Sequence, residues 1–165
     1  MSVEKLINAF RGRASRLQFW VVVAVVVPAL MVLLLCFWMY ALSIPGAYEN
    51  GGPTPWPTDP LGIAGAVVWF VALAALIVGF LAAAIRRLHD RDKAWWWVLV
   101  FVAAPDLLDF YAFSQTVTRG GENVGGLAQL CALAGYALSL WGLIELGFLR
   151  GTAGENRFGP DPLAK

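Results

Sequence analysis

The stretch that decides the fold is FWVVVAVVVPALMVLLLCFWMYAL, Phe19 to Leu42: 24 residues without a charged side chain. A helix rises about 1.5 Å per residue, so about 20 residues cross a hydrocarbon core roughly 30 Å thick. The run is longer than a signal-peptide core, and no small-residue cleavage pattern follows it. It therefore reads as a permanent span. Three further runs are of similar length, Leu61–Ile85, Ala94–Phe113 and Gly126–Leu149. None alternates polar and apolar residues as barrel strands do, and backbone groups left unpaired in lipid are costly, so helices are expected.

The composition agrees with this reading. Of 165 residues, 59% are hydrophobic and only 14% charged, against about 45–50% and 25% in soluble domains. Mean hydropathy is +0.68. Cys36 and Cys131 lie inside apolar runs, where cysteines act as small hydrophobes. With a single histidine as well, the chain offers too few ligands for a structural zinc. No metal or cofactor is expected.

Arginines and lysines set the orientation. Lys5, Arg11, Arg13 and Arg16 precede the first run, and Arg86, Arg87, Arg91 and Lys93 separate the second from the third. Arg150, Arg157 and Lys165 follow the fourth. Eleven of the 12 basic residues thus fall on one face, leaving Arg119 on the other beside Glu49, Asp59 and Glu122. The expected fold is an all-α integral membrane protein. Its single membrane domain, 1–165, is a compact bundle of four spans (19–42, 61–85, 94–113 and 126–149) with both termini cytoplasmic.

Residues 1–18 form a cytoplasmic segment in which Val3, Leu6, Ile7 and Phe10 have the spacing of a short amphipathic helix. Gly12 ends it, and Ser15 is placed to cap the first span. Residues 150–165 form a cytoplasmic tail too rich in glycine and proline for a helix. Ser43–Pro60 and Ser114–Gly125 are the outer loops. Small residues recur every four positions at Ala75, Gly79 and Ala83, and at Cys131, Gly135 and Ser139, a spacing that lets helix backbones approach closely.

Three polar stretches remain. GRASRLQFW (Gly12–Trp20), RRLHDRDKAWWW (Arg86–Trp97) and GTAGENRFGPDP (Gly151–Pro162) are far apart in sequence, but the topology puts all three on the cytoplasmic face. The bases of the middle stretch follow the positive-inside bias, and its tryptophans suit the membrane interface. It reads as a short polar loop in which Asp90 and Asp92 pair with arginines, while His89 caps a helix end or bonds across the loop. Together the stretches are expected to form one polar cap from Arg13, Arg16, Arg87, His89, Asp90, Glu155, Asn156 and Arg157.

In the same order these stretches resemble the signature of the domain-of-unknown-function 805 family of small bacterial inner-membrane proteins. The pattern carries over to Gly12, Arg13, Arg16 and Trp20; to Arg87, Leu88, His89, Asp90, Trp95 and Trp96; and to Gly154, Asn156, Arg157, Gly159 and Pro160. The resemblance implies a multi-pass inner-membrane address and no established activity. Members of the family often run from the double tryptophan to the tail in under about thirty residues, too few for two spans. The interval from Trp95 to Arg150 is far longer here, so the topology of shorter relatives does not transfer.

A second candidate site lies in the apolar runs. Asp106 and Asp109, three apart, share a helix face, and Glu145 sits near the inner end of the fourth run with no basic residue at its own depth. Intramembrane carboxylates are costly and so point to function. The alternative is that the two aspartates reach outer water and Glu145 turns toward the inner surface. No catalytic set converges. The reading is a non-enzymatic inner-membrane protein whose cap binds anionic lipid headgroups, or a membrane-protein partner or second copy, and no nucleic acid. A small transporter using the three acids is the alternative.

Overall fold

The computed structural model describes residues 9–43, 60–118 and 125–164, and they are helical apart from short connections and the tail. Helix α1 spans Arg16–Ser43 and α2 spans Pro60–Asp90. A π-helical segment, Leu99–Ala103, leads directly into α3, Ala104–Thr118. Helix α4, Gly126–Leu143, runs on into a second π-helical segment, Ile144–Phe148. Three of these helices are long and apolar enough to cross a membrane: Arg16–Tyr40, Pro60–Asp90 and Gly126–Phe148. The segment through α3, interrupted by its π turn and carrying two aspartates, is not among them.

Large apolar side chains point outward along every helix, among them Val25 and Leu35 on α1, Val68 and Val71 on α2, Phe110 on α3 and Leu133 and Leu140 on α4. Water would penalise such a surface, and hydrocarbon would not.

Several boundaries differ from the sequence expectation. Helix α2 does not end at Ile85 but continues through Asp90, so Arg86–Asp90 belong to its last turns and only Arg91–Trp96 connect it to the next helix. Its 31 residues extend about 46 Å, well beyond a hydrocarbon core, which lets polar turns follow the apolar ones in one helix. The third helical run starts at Trp97 rather than Ala94 and reaches Thr118 rather than Phe113. The expected amphipathic helix over Val3, Leu6 and Ile7, residues 44–59 of the first outer loop and residues 119–124 of the second lie outside the described residues.

The chain divides into two compact units. One is Val21–Leu81, where α1 and α2 meet. There the Trp69 indole N–H donates to the Leu33 carbonyl at 3.0 Å, and Trp69 lies 5.3 Å from the Phe37 ring. Ala75 and Gly79 are exposed, and a Cβ on Gly79 would meet nothing within 4 Å. Of the three small residues at this spacing only Ala83, in the last turns of the helix, is buried.

The other unit joins Met1–Trp20 to Ala82–Lys165. In it α3 and α4 pack closely. A Cβ on Gly135 would lie 2.5 Å from Asp109 Oδ1 and 3.3 Å from the Pro105 carbonyl oxygen, and one on Gly142 would lie 3.0 Å from Phe101 Cβ. The buried stripe of α4 is Ala128, Gly135 and Gly142, at intervals of seven, while Ser139 is exposed. Seven residues make almost two turns, so this stripe holds one face where a repeat of four drifts off it.

Candidate functional site: a clasp of three stretches

The polar end of α2 is the centre of the second unit. Its last turn closes with two bonds of a Schellman motif: Lys93 N–H donates to Leu88 O at 2.9 Å and Asp92 N–H to His89 O at 3.0 Å. Asp92 takes the left-handed conformation this requires, with φ 56°. The turn leaves Arg87, Leu88, His89 and Asp90 facing inward, all buried.

Asp90 is held from two sides. Its Oδ1 accepts from Arg13 Nε at 3.0 Å and Arg13 Nη2 at 2.9 Å, and its Oδ2 accepts from Arg87 Nη1. The three side chains are 5%, 1% and 0% exposed. Two buried guanidiniums on one carboxylate leave a charge, and backbone carbonyls surround it. Arg13 also donates to the carbonyls of Thr152, Gly154 and Gly159, and Arg87 to those of Leu146 and Leu149. Buried charges persist only when paired and fully hydrogen-bonded in this way.

The tail folds back onto the same point. Thr152 donates to the Asp90 carbonyl through its backbone N–H at 2.8 Å and its hydroxyl at 3.0 Å. Asn156 Nδ2 donates to the His89 carbonyl and to Thr152 Oγ1, both at 2.9 Å, while its Oδ1 accepts from Phe158 N–H. Phe158 stacks on the His89 ring, with centroids 3.9 Å apart and planes 6° from parallel. On its edge His89 Nδ1 lies 3.2 Å from the Gly12 carbonyl oxygen, which only accepts, so Nδ1 carries the proton in this contact. The tail's own turn is pinned by Asp161, whose carboxylate accepts from the Gly154 and Leu163 amides. Those two bonds hold its carboxyl below the usual carboxylate range.

The first stretch completes the clasp. Ser15 Oγ accepts from Gln18 N–H at 3.3 Å and Gln18 Oε1 accepts from Ser15 N–H at 2.9 Å, a reciprocal capping box that starts α1. Ala14 N–H donates to the Arg86 carbonyl. Three stretches separated by more than fifty residues are thus joined by side chains reaching one another's backbone.

Glu145 does not stand apart as an intramembrane acid. It is buried in the second π-helical segment, and its Oε1 lies 3.0 Å from Arg91 Nε and 2.8 Å from Lys93 Nζ. Both bases come from the connection after α2 and reach the carboxylate along their long stems. Lys93 Nζ also sits 4.6 Å from the Trp97 ring centroid. Glu145 is therefore part of the clasp.

The other expected residues lie at the rim of the clasp or away from it. Arg16 is exposed and, among the described residues, donates to the Phe148 carbonyl alone. Arg157 is exposed and pairs with Asp92 at 3.0 Å, over the face of Phe158. Glu155 is exposed and forms no salt bridge among the described residues. Asp106 is exposed; Asp109 is half-buried against Gly135, and its buried Oδ1 has no hydrogen-bond partner. Gly151 and Thr152 carry no signal of their own in the sequence beyond lying in the glycine-rich tail. Among the described residues no group of three metal-ligating side chains comes together.

A family model described as "Protein of unknown function (DUF805)" matches residues 7–160. The chain belongs to the DUF805 family. Two curated relatives, both "Inner membrane protein YhaH", come from Escherichia coli strain K12 and Escherichia coli O157:H7. Each is 27% identical over 162 residues, which cover 98% of this chain and 93% of the relative. No solved structure matches. With helices able to span a bilayer and these relatives, the chain is an inner-membrane protein. Neither the family description nor the relatives' names assign an activity.

Proposed function

We propose that this DUF805 member is a non-enzymatic four-span protein with both termini cytoplasmic, and that its clasp engages anionic lipid headgroups at the inner leaflet. The observation that carries this is the charge balance of the clasp. Three acids here are paired internally, Asp90 by Arg13 and Arg87, Glu145 by Arg91 and Lys93, and Asp92 by Arg157, while Glu155 and Asp161 form no salt bridge among the described residues. Arg11, Arg16, Arg86 and Arg150 form no salt bridge among the described residues, and Arg86 Nε is buried without a partner. A surplus of bases beside an apolar surface suits a membrane carrying negative charge, each base contributing about 1 kcal/mol near such a surface. The fourth span is the segment from Trp97 through α3, 22 residues long, or about 33 Å. Trp95 and Trp96, both exposed, precede it as interfacial anchors.

The test is lipid selectivity in nanodiscs of equal phosphatidylglycerol and phosphatidylcholine. The full chain enriches phosphatidylglycerol, and changing Arg11, Arg86 and Arg150 together to Gln reduces the enrichment, as does raised salt. Selectivity that ignores both changes rejects the reading. An acidic protein partner meeting the same bases would instead co-purify from native membranes in proportion to them.

A second reading, a small transporter or channel component, is favoured by Asp109 alone. Its Oδ1 is buried, unpartnered and pressed against Gly135, and intramembrane carboxylates point to proton or cation handling. Proton flux into liposomes that is lost in Asp109→Asn supports this reading; absence of flux in the wild type removes it.

A further inference from the structure

Beside the clasp, the start of α1 and the second π-helical segment enclose an open groove of about 460 Å³. Its walls are Arg16, Leu17, Trp20 and Phe148, and Leu163 of the tail closes one side. The volume falls within the usual span for small-molecule sites, about 300–1,000 Å³. The groove is built rather than incidental. Gly147 allows Trp20 to lie against the helix turn, since a Cβ there would come within 2.7 Å of Trp20 Cζ2. The Trp20 indole N–H donates to the Gly147 carbonyl at 3.0 Å, and the Phe148 ring meets Trp20 edge-on at 5.7 Å.

The lining is amphipathic in one direction. Leu17, Phe148 and Leu163 are large apolar side chains, 73%, 59% and 67% exposed. Arg16 adjoins them with one N–H committed to the Phe148 carbonyl and, among the described residues, no salt bridge to a carboxylate. A guanidinium fork beside an apolar groove matches one class of ligand, in which a phosphate is joined directly to hydrocarbon.

We infer that this groove is a discrete site for one anionic phospholipid, its phosphate on Arg16 and its glycerol and upper acyl segment against Leu17, Phe148 and Leu163. This rests on the preceding reading that this end of the protein meets the inner leaflet, and it adds a defined stoichiometry. Loss of the Arg16 contact removes a charge-assisted bond, which corresponds to about a tenfold weaker hold.

The experiment is native mass spectrometry of the full chain released from nanodiscs of equal phosphatidylglycerol and phosphatidylcholine. One phosphatidylglycerol stays bound per wild-type chain. Arg16→Gln and, independently, Leu163→Asp lower its retention about tenfold, and Arg16→Lys restores part of it. Both positions are exposed and Arg16 gives up one exposed bond, to the Phe148 carbonyl, so the unfolding temperature of each variant in lipid-free detergent stays within about 4 °C of the wild-type value. Retention of the bound lipid in both variants overturns the groove, and so does a wild-type chain that retains none. If phosphatidylglycerol is enriched but none is held stoichiometrically, the groove fails and the surface reading stands; with no enrichment at all, both fail.

Discussion

Gly151 is the position where one added carbon should do the most damage. A Cβ there would lie 2.8 Å from Asp90 Oδ1 and closer still to Cγ and Oδ2. The carboxylate has nowhere to retreat, because Arg13 and Arg87 hold its two oxygens from opposite sides and are themselves buried. The tail must therefore move, and with it the two bonds from Thr152 to the Asp90 carbonyl. Overpacking of a tight site costs about 1–3 kcal/mol, and each neutral hydrogen bond lost adds about 0.5–1.5 kcal/mol. Gly151→Ala is thus expected to destabilise this unit by about 2–6 kcal/mol. For a chain of this length that lowers the unfolding temperature by about 5–15 °C, read by circular dichroism or scanning fluorimetry in detergent. Ala153→Gln, two residues on and exposed, is the control and should shift it by less than about 2 °C. If Gly151→Ala is as silent as the control, the carboxylate is not fixed as described and the packing argument falls.

Glu145→Ala should cost less than removal of Asp90, about 1–3 kcal/mol. Arg91 and Lys93 are about a quarter exposed and can turn to water when their partner is lost, whereas Arg13 and Arg87 cannot; the comparison of Glu145→Ala with Asp90→Ala by thermal unfolding checks the order. The tail should also loosen in acid. Asp161 has a folded pKa below its unfolded value, so its contribution is present above the unfolded value and is lost as pH falls through the folded one. Backbone amide signals of Gly154 and Leu163 should move together over that window, and stay flat in Asp161→Asn.

The span of residues was the most legible part of this protein, because lipid leaves the backbone few choices and the runs at Phe19 and Leu61 are long. The end of α2 was less so. Arg86–Asp90 is polar and was expected as loop, yet a helix longer than the hydrocarbon core carries its polar turns out with it. Asp90, Arg13 and Arg87 were visible as candidates through ordered motifs rather than through periodicity. Glu145 was misplaced since its partners, Arg91 and Lys93, lie fifty residues away in sequence, and depth counted along a helix ignores how far a lysine stem reaches. Gly151 was hidden for a different reason. A glycine in a glycine-rich tail signals a turn, and it is the fold that brings a carboxylate to where its side chain would be.

The central claim is that the stretch before α1 and the end of α2 act as one clasp. A double-mutant cycle of Arg13→Ala and Asp90→Ala, measured by reversible unfolding of the full chain, tests it most directly. Two of the three hydrogen bonds on the Asp90 carboxylate come from Arg13, and the pair is buried, so a coupling of about 1.5–3 kcal/mol is predicted. Effects that add to within about 0.5 kcal/mol would contradict it.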